Sequence, residues 1–79
     1  MYQFKVSTRK NKKYDVYKNN KYVISFGDKN YEHFEDRTPN NFYWSLNHYD
    51  EKRRQNYYNR FGNNPKFESA MYFSHKYLW

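Results

Sequence analysis

The chain has to build its interior largely from aromatic rings. It contains eleven tyrosines, seven phenylalanines and two tryptophans among 79 residues, and no cysteine. The branched aliphatic side chains are Val6, Val16, Val23, Ile24, Leu46 and Leu78. Without disulfides the chain must fold on packing alone, with each buried ring supplying roughly 150–250 Å² of buried surface. A chain this short cannot bury every ring, so some tyrosines are expected to face water or a partner.

The length of the chain allows one domain, residues 1–79, because two independent cores do not fit. The sequence has no run of about eighteen apolar residues and no apolar N-terminal segment, so neither a membrane span nor a secretory signal is expected. These features predict an intracellular protein or a component of a particle.

The positive charge is concentrated at the two ends of the sequence. Residues 1–21 carry seven cations and one carboxylate, residues 22–51 two cations and six carboxylates, and residues 52–79 six cations and one carboxylate. The net charge is +7. Such an excess favours polyanions, nucleic acid above all, through counterion release. The alternative explanation is that net charge keeps a small protein soluble.

Alternating residues at the N-terminus predict strands. Apolar Tyr2, Phe4 and Val6 alternate with polar residues, which is the period of a half-buried strand over residues 2–7. The pair Asn19-Asn20 tolerates the positive φ angles of a two-residue turn. It therefore predicts a hairpin between strands at residues 13–18 and 21–26. Together with residues 2–7, three strands are predicted.

The middle of the chain shows no periodicity. Residues 27–41 are rich in turn formers and predict a loop, while residues 42–46 are too few to decide between helix and strand and favour a short helix or turn. The chain thus divides into strands with a hairpin, a region of loop and short irregular elements, and two helices: residues 1–27, 28–48 and 49–79.

The segment 50–61 predicts a helix with clear end signals. Asp50 is a candidate N-cap, Arg60 falls in the last turn and Gly62 follows the helix. Helical spacing places an aromatic inner face at Tyr57, Tyr58 and Phe61. It places a basic outer face at Lys52, Arg53, Asn56 and Arg60.

A second helix is predicted at residues 69–77, with Ser69 as its N-cap. Its apolar positions are Phe67, Ala70, Phe73, Tyr77 and Leu78. The expected fold is α+β: a small three-stranded antiparallel sheet packed by two C-terminal helices, with an aromatic-rich core.

No group of residues predicts catalysis or metal binding. His33, His48 and His75 do not share helical spacing, and no cysteine accompanies them. No paired carboxylates are placed for acid–base chemistry, and the two glycines do not form a phosphate loop. We therefore expect no enzyme, no cofactor, no metal and no small-molecule substrate.

Cations interleaved with rings are the residues that indicate a function. Arginine pairs with phosphate in a bidentate manner and exposed rings stack on bases, a combination used in sequence-tolerant binding. The candidate phosphate contacts are Lys52, Arg53, Arg54 and Arg60, helped by Arg9, Lys10, Lys12 and Lys13. The candidate stacking rings are Tyr14 and one of Tyr57 and Tyr58. Alternatively, Arg54 pairs with Asp50 or Glu51 and the tyrosines belong to the core.

The motifs "SFGD..Y..F.D.TP", "H.DEKRR..YY.RFG" and "K..SA..FS.KYLW" resemble a group of small uncharacterised proteins of large double-stranded DNA viruses of protists and algae, with looser cousins in tailed phages. The resemblance spans roughly residues 25–79. It places recurring positions at Phe26, Gly27, Tyr31, Phe34, Asp36, His48, Asp50, Arg53, Arg54, Tyr57, Arg60, Ser69, Ala70, Phe73, Ser74, Leu78 and Trp79. Where the group often has Arg-His after the helical tyrosine, this chain has Arg60-Phe61. The resemblance implies a viral protein of the virion or of the host cytoplasm or nucleus.

The expected function is non-enzymatic nucleic-acid binding of low sequence specificity, with DNA as the favoured partner and no membrane. Association with the genome in the particle is one setting for it. The alternative is a small viral structural or interaction module that binds itself, a virion protein or a host protein through its surplus rings. In that case the acidic loop 28–36 would face the basic ends of a neighbouring copy.

Overall fold

The computed structural model describes all 79 residues and has an α+β fold. Three antiparallel strands, β1 (Tyr2–Val6), β2 (Lys12–Lys18) and β3 (Lys21–Asp28), form a sheet in the order β1-β2-β3. A 3₁₀ turn (Trp44–Leu46) precedes two helices, α1 (Glu51–Phe61) and α2 (Ala70–Tyr77). The predicted fold class is confirmed. No helix of the chain is long and apolar enough to cross a membrane.

The hairpin between β2 and β3 forms at the predicted asparagine pair. Asn19 and Asn20 both have positive φ, at 53° and 65°, as a two-residue turn between twisted strands requires. A register shift between Val16 and Tyr17 lies in β2 just before the turn. Phe4 and Val16 of the sheet pack in one cluster with Phe73 of α2.

The core is mainly aromatic, as expected. Its fully or nearly buried members are Phe4, Tyr14, Val16, Phe26, Phe73 and Leu78. The rings meet edge to face or tilted, as between Phe4 and Phe73 at 6.5 Å and between Phe26 and Phe73 at 5.7 Å. Such arrangements add a modest stabilisation beyond the buried area. Because α2 supplies Phe73 to this cluster, it is the helix that covers the sheet.

Both helices begin at their predicted caps. The Asp50 carboxylate accepts hydrogen bonds from Lys52 N and Arg53 N, and the Ser69 hydroxyl accepts one from Tyr72 N. Phe67, predicted on the apolar face of the second helix, lies in the turn before α2 and is 65% exposed. That part of the prediction is wrong because the helix starts at its cap, beyond Phe67.

The predicted inner face of α1 is only half-buried. No residue of α1 is fully buried, and Phe61 remains 43% exposed. Tyr57 and Tyr58 pack on His75 and Trp79, at the end of α2, rather than on the sheet. The sheet is already covered by α2, so α1 is left with one side facing an open cleft.

Candidate nucleic-acid interface

The position of Tyr57 is fixed by contacts with the end of α2. Its ring stacks on Trp79 with centroids 4.4 Å apart and planes inclined by 6°. His75 Nε2 donates to Gly62 O at 2.8 Å, which leaves His75 Nδ1 to accept from the Tyr57 hydroxyl at 2.9 Å. Burial raises the pKa of Tyr57, so the hydroxyl stays protonated and keeps donating. Tyr57 is thus a rigid part of the wall between α1 and α2.

A cleft of about 790 Å³ opens beside this wall. Its sides are α1, α2 and the turn that follows β3, and its volume falls in the range of ligand sites. Two rings on its lining are exposed: Tyr31, at 69%, on the turn after β3 and Phe61, at 43%, at the end of α1. Trp79 and Met71 add further apolar surface. We call this feature the α1 cleft.

Two of the predicted arginines lie on the α1 cleft. Arg53 and Arg60 are seven residues apart, two turns of helix, and so lie on the same side of α1 about 10 Å apart along its axis. Arg53 Nη1 pairs with Glu32 Oε1 across the cleft at 2.8 Å, and this contact lowers the pKa of Glu32. Arg60 has no carboxylate partner, and its guanidinium lies 5.4 Å from the centroid of the Phe61 ring. Cations and rings therefore meet in one concave site.

Other predicted residues of α1 are engaged elsewhere. Arg54 Nε donates to the backbone oxygen of Trp79 at 2.6 Å, and its guanidinium covers the Phe34 ring at 4.7 Å. The Tyr58 hydroxyl donates to His75 O at 3.2 Å. Both side chains join α1 to its neighbours rather than lining the α1 cleft. Lys52 is exposed on α1 but also lies outside the cleft lining.

Lys13 was predicted to contact phosphate, but it is buried. Only 2% of the residue is exposed, and its ammonium donates to Tyr31 O at 2.8 Å and to His33 Nδ1 at 2.7 Å. Burial lowers the pKa of Lys13 to about 8. The loop after β3 folds back over the end of the sheet and covers it. Lys13 holds the backbone of Tyr31 and contributes to the cleft lining. Its ammonium is buried, so a phosphate on the surface does not reach it.

Tyr14 was predicted to stack on a base, but it has no exposed surface. Its ring lies among the rings of the core, and its hydroxyl donates to Asp36 Oδ2 at 2.6 Å and accepts from Phe42 N at 2.9 Å. Burial and the Asp36 hydrogen bond raise its pKa to about 12. Tyr14 therefore anchors the loop to the sheet and is unable to bind a base.

The remaining N-terminal cations lie on or beside the outer face of the sheet. Arg9 covers the Tyr22 ring at 4.4 Å and its Nε lies 3.7 Å from Asp15 Oδ1. Lys5, which the sequence did not single out, covers Tyr17 at 4.7 Å. Lys10 and Lys12 are exposed at the turn between β1 and β2. None of these four cations lines the α1 cleft.

Sequence reasoning missed Tyr31, Glu32 and Trp79 as parts of the cleft. Tyr31 and Glu32 fall in a region without periodicity, and Trp79 follows the last helical residue. Only their contacts in the folded chain place them opposite Arg53. Two signals were available: the number of rings, which exceeds what the core can hold, and the recurring positions of Tyr31 and Trp79 in the viral group that the chain resembles.

A model of a family of unknown function, DUF5754, matches residues 2–41, just over half of the chain. The chain belongs to this family. The part matched to DUF5754 covers the sheet, Tyr31 and Glu32, and stops before α1. The turn that follows β3 therefore lies inside the DUF5754 match, and the other two sides of the α1 cleft, α1 and α2, lie outside it. No curated protein and no solved structure matches the chain.

Proposed function

We propose that this member of the DUF5754 family binds nucleic acid without enzymatic chemistry and with low sequence specificity. The resemblance to proteins of large DNA viruses adds the proposed setting, a genome-associated protein in a virion or in the host cytoplasm or nucleus. DNA is the favoured partner in that setting.

The observation that carries the proposal is the placing of Arg53 and Arg60 along one side of a ring-lined cleft. Guanidinium groups pair with phosphate in a fixed bidentate geometry, whereas rings bind any base through its face. Neither contact distinguishes one base from another strongly. The arrangement therefore supports affinity for nucleic acid with little sequence preference.

The distribution of charge supports the same partner. The carboxylates of the central loop are mostly used inside the chain: Asp36 accepts from Tyr14 and Thr38, Glu32 pairs with Arg53, and Glu35 lies 4.0 Å from Arg37. The chain as a whole keeps a net charge of +7. A polyanion that approaches this surface gains from counterion release.

The test is binding of a fluorescent DNA across a salt series. We compare the native chain with the double variant Arg53→Ala/Arg60→Ala and with Lys21→Ala/Lys66→Ala, which removes two exposed cations that lie outside the cleft lining. The cleft variant should bind more weakly and its log–log salt slope should flatten by about one to two contacts. The control should change much less. Absence of binding near physiological salt would refute the proposal.

A second candidate, a structural or interaction module, is favoured by exposed rings away from the α1 cleft. Phe42, Trp44 and Tyr49 are exposed around the 3₁₀ turn, and Trp44 and Tyr49 border a separate cleft of about 430 Å³. Aromatic residues of this kind are enriched at protein interfaces. If the chain self-associates through them, sedimentation should show a mass that rises with concentration. The variant Trp44→Ala would then remain monomeric.

A further inference from the structure

We infer that the α1 cleft takes the bases of a single strand, so that the protein prefers single-stranded nucleic acid to a duplex. This inference rests on the proposed function and names the form of the ligand. Its ground is the geometry of the rings and cations around the cleft.

The exposed rings stand on separate walls of the cleft. Tyr31 is carried by the turn after β3, and its backbone oxygen is held by the Lys13 ammonium at 2.8 Å. Phe61 is carried by the last turn of α1 and contacts Tyr57 with centroids 4.9 Å apart. The backbone of Tyr31 and the ring of Phe61 are therefore held by neighbouring residues, while both rings keep exposed surface on the cleft. A flat base that enters between these walls meets aromatic surface already in place.

A duplex does not offer this contact. Its base faces are hidden in the stack, and only edges in the grooves and the phosphates are accessible. In a single strand the bases can leave the stack and lie on aromatic side chains. The apolar lining around Tyr31, Phe61 and Trp79 can therefore contact the bases of a single strand, whereas a duplex offers it no base face.

The cations are placed to contact the phosphates of a strand whose bases face the rings. Arg53 and Arg60 line the cleft from one helix and are exposed. A strand that follows α1 would place phosphates against the two guanidinium groups and turn its bases toward the rings. Glu32, which holds Arg53 at 2.8 Å, has to be displaced by the incoming phosphate.

The experiment compares an oligothymidylate of about 8 nucleotides, within the site size of small single-strand binders, with a DNA hairpin whose stem is fully paired and closed by a non-nucleotide linker, at equal total phosphate. The variants are Tyr31→Ala and Phe61→Ala. The control is Phe67→Ala, which removes an exposed ring that lies outside the cleft. Because all three side chains are exposed, the variants should keep the thermal midpoint of the native chain within a few degrees, which is checked first.

We expect the native chain to bind the strand more tightly than the hairpin. Each cleft variant should lose about 5- to 100-fold in affinity for the strand, the effect of one stacking ring, and little for the hairpin. Phe67→Ala should change neither. Equal binding of strand and hairpin, or cleft variants that leave strand affinity unchanged, overturns the inference while the proposed function stands. If neither ligand binds, both are overturned.

A second readout uses the two indoles of the chain. In Trp44→Phe the remaining indole is Trp79, which lines the cleft. Its emission should be quenched by the strand and only weakly by the hairpin. Trp79→Phe, which keeps only Trp44, outside the cleft lining, should show no quenching. Quenching of Trp79 to the same extent by both ligands contradicts the inference.

Discussion

The Lys13 ammonium donates a hydrogen bond to His33 Nδ1 at 2.7 Å, and both side chains are buried. His33 Nε2 faces Asn47 Oδ1 at 2.6 Å, an oxygen that already accepts from Asp36 N at 2.7 Å. The proton therefore sits on Nε2, and His33 is neutral. This chain of contacts joins β2 to the loop that carries Tyr31, so the shape of the α1 cleft depends on a charged lysine beside a neutral histidine.

The pair predicts a loss of stability in mild acid. Burial and the nearby Lys13 lower the pKa of His33 from 6.5 to about 4, with Asn47 and Asp36 opposing and His48 adding to the effect. Between these two values only the unfolded chain takes up the proton. The free energy of unfolding should therefore be highest above pH 6.5 and fall by up to about 3 kcal/mol as the pH drops to 4.

Urea unfolding measured from pH 4 to 7 checks this prediction. The variant His33→Gln removes the titrating group and should show a shallower dependence on pH over the same range. An equal slope in both proteins would assign the acid sensitivity to other groups.

Replacing Tyr14 by Phe should destabilise the fold by about 1–3 kcal/mol. The change removes a hydroxyl that donates to Asp36 and accepts from Phe42 N, so that Phe42 N loses its partner and Asp36 Oδ2 keeps only Tyr43 N. Tyr31→Phe is the matched control, because that ring is exposed, and it should change the free energy of unfolding by less than about 0.5 kcal/mol. Chemical denaturation of the three proteins measures both values. A Tyr14→Phe protein as stable as the native chain would show that this hydroxyl does not hold the loop.

The two glycines should respond differently to alanine. Gly27 and Gly62 have nearly the same positive φ, 76° and 77°, which side chains rarely adopt. An added Cβ at Gly27 would lie 3.0 Å from both Leu78 Cδ1 and Lys13 Cδ, whereas nothing lies within 4 Å at Gly62. Backbone strain should cost about 1–3 kcal/mol at Gly62, and crowding should add about 1–3 kcal/mol at Gly27. Similar thermal midpoints for the two variants would contradict the close approach of Gly27 to Leu78 and Lys13.

Glu32→Gln should strengthen binding of nucleic acid. The change releases Arg53 from its 2.8 Å ion pair and removes a negative charge from the cleft lining. Glu51→Gln alters the net charge equally but acts outside the α1 cleft, where Glu51 lies 3.9 Å from Arg54. Affinity for the oligothymidylate should rise several-fold for Glu32→Gln, and clearly less for Glu51→Gln. An equal gain in both would indicate a response to overall charge alone.

Elements governed by local rules were predictable from the sequence. The alternation around Phe4, the Asn19-Asn20 turn and the caps at Asp50 and Ser69 all lie where the pattern places them. These features depend on backbone geometry and on neighbours a few residues away.

The burial of Lys13 was not predictable in the same way. A cation in an alternating strand is expected to face solvent, and nothing near Lys13 in the sequence indicates that His33 covers it. The cleft could not be predicted for the same reason. Arg53 meets Glu32 only because a loop without periodicity folds back toward α1. The surplus of rings predicted that some of them face water or a partner. Which rings are exposed depends on contacts between distant segments, which the sequence pattern does not reveal.

The most direct test of the account is a titration of the isotopically labelled native chain with the oligothymidylate, followed through backbone amide chemical shifts. If the α1 cleft binds the strand, the largest changes should fall at Tyr31 and Glu32, along Arg53 to Gly62, and at Trp79. The segment from Phe42 to Tyr49 should change little. Changes centred on that segment, with the α1 cleft unaffected, would contradict the account and favour the interaction module.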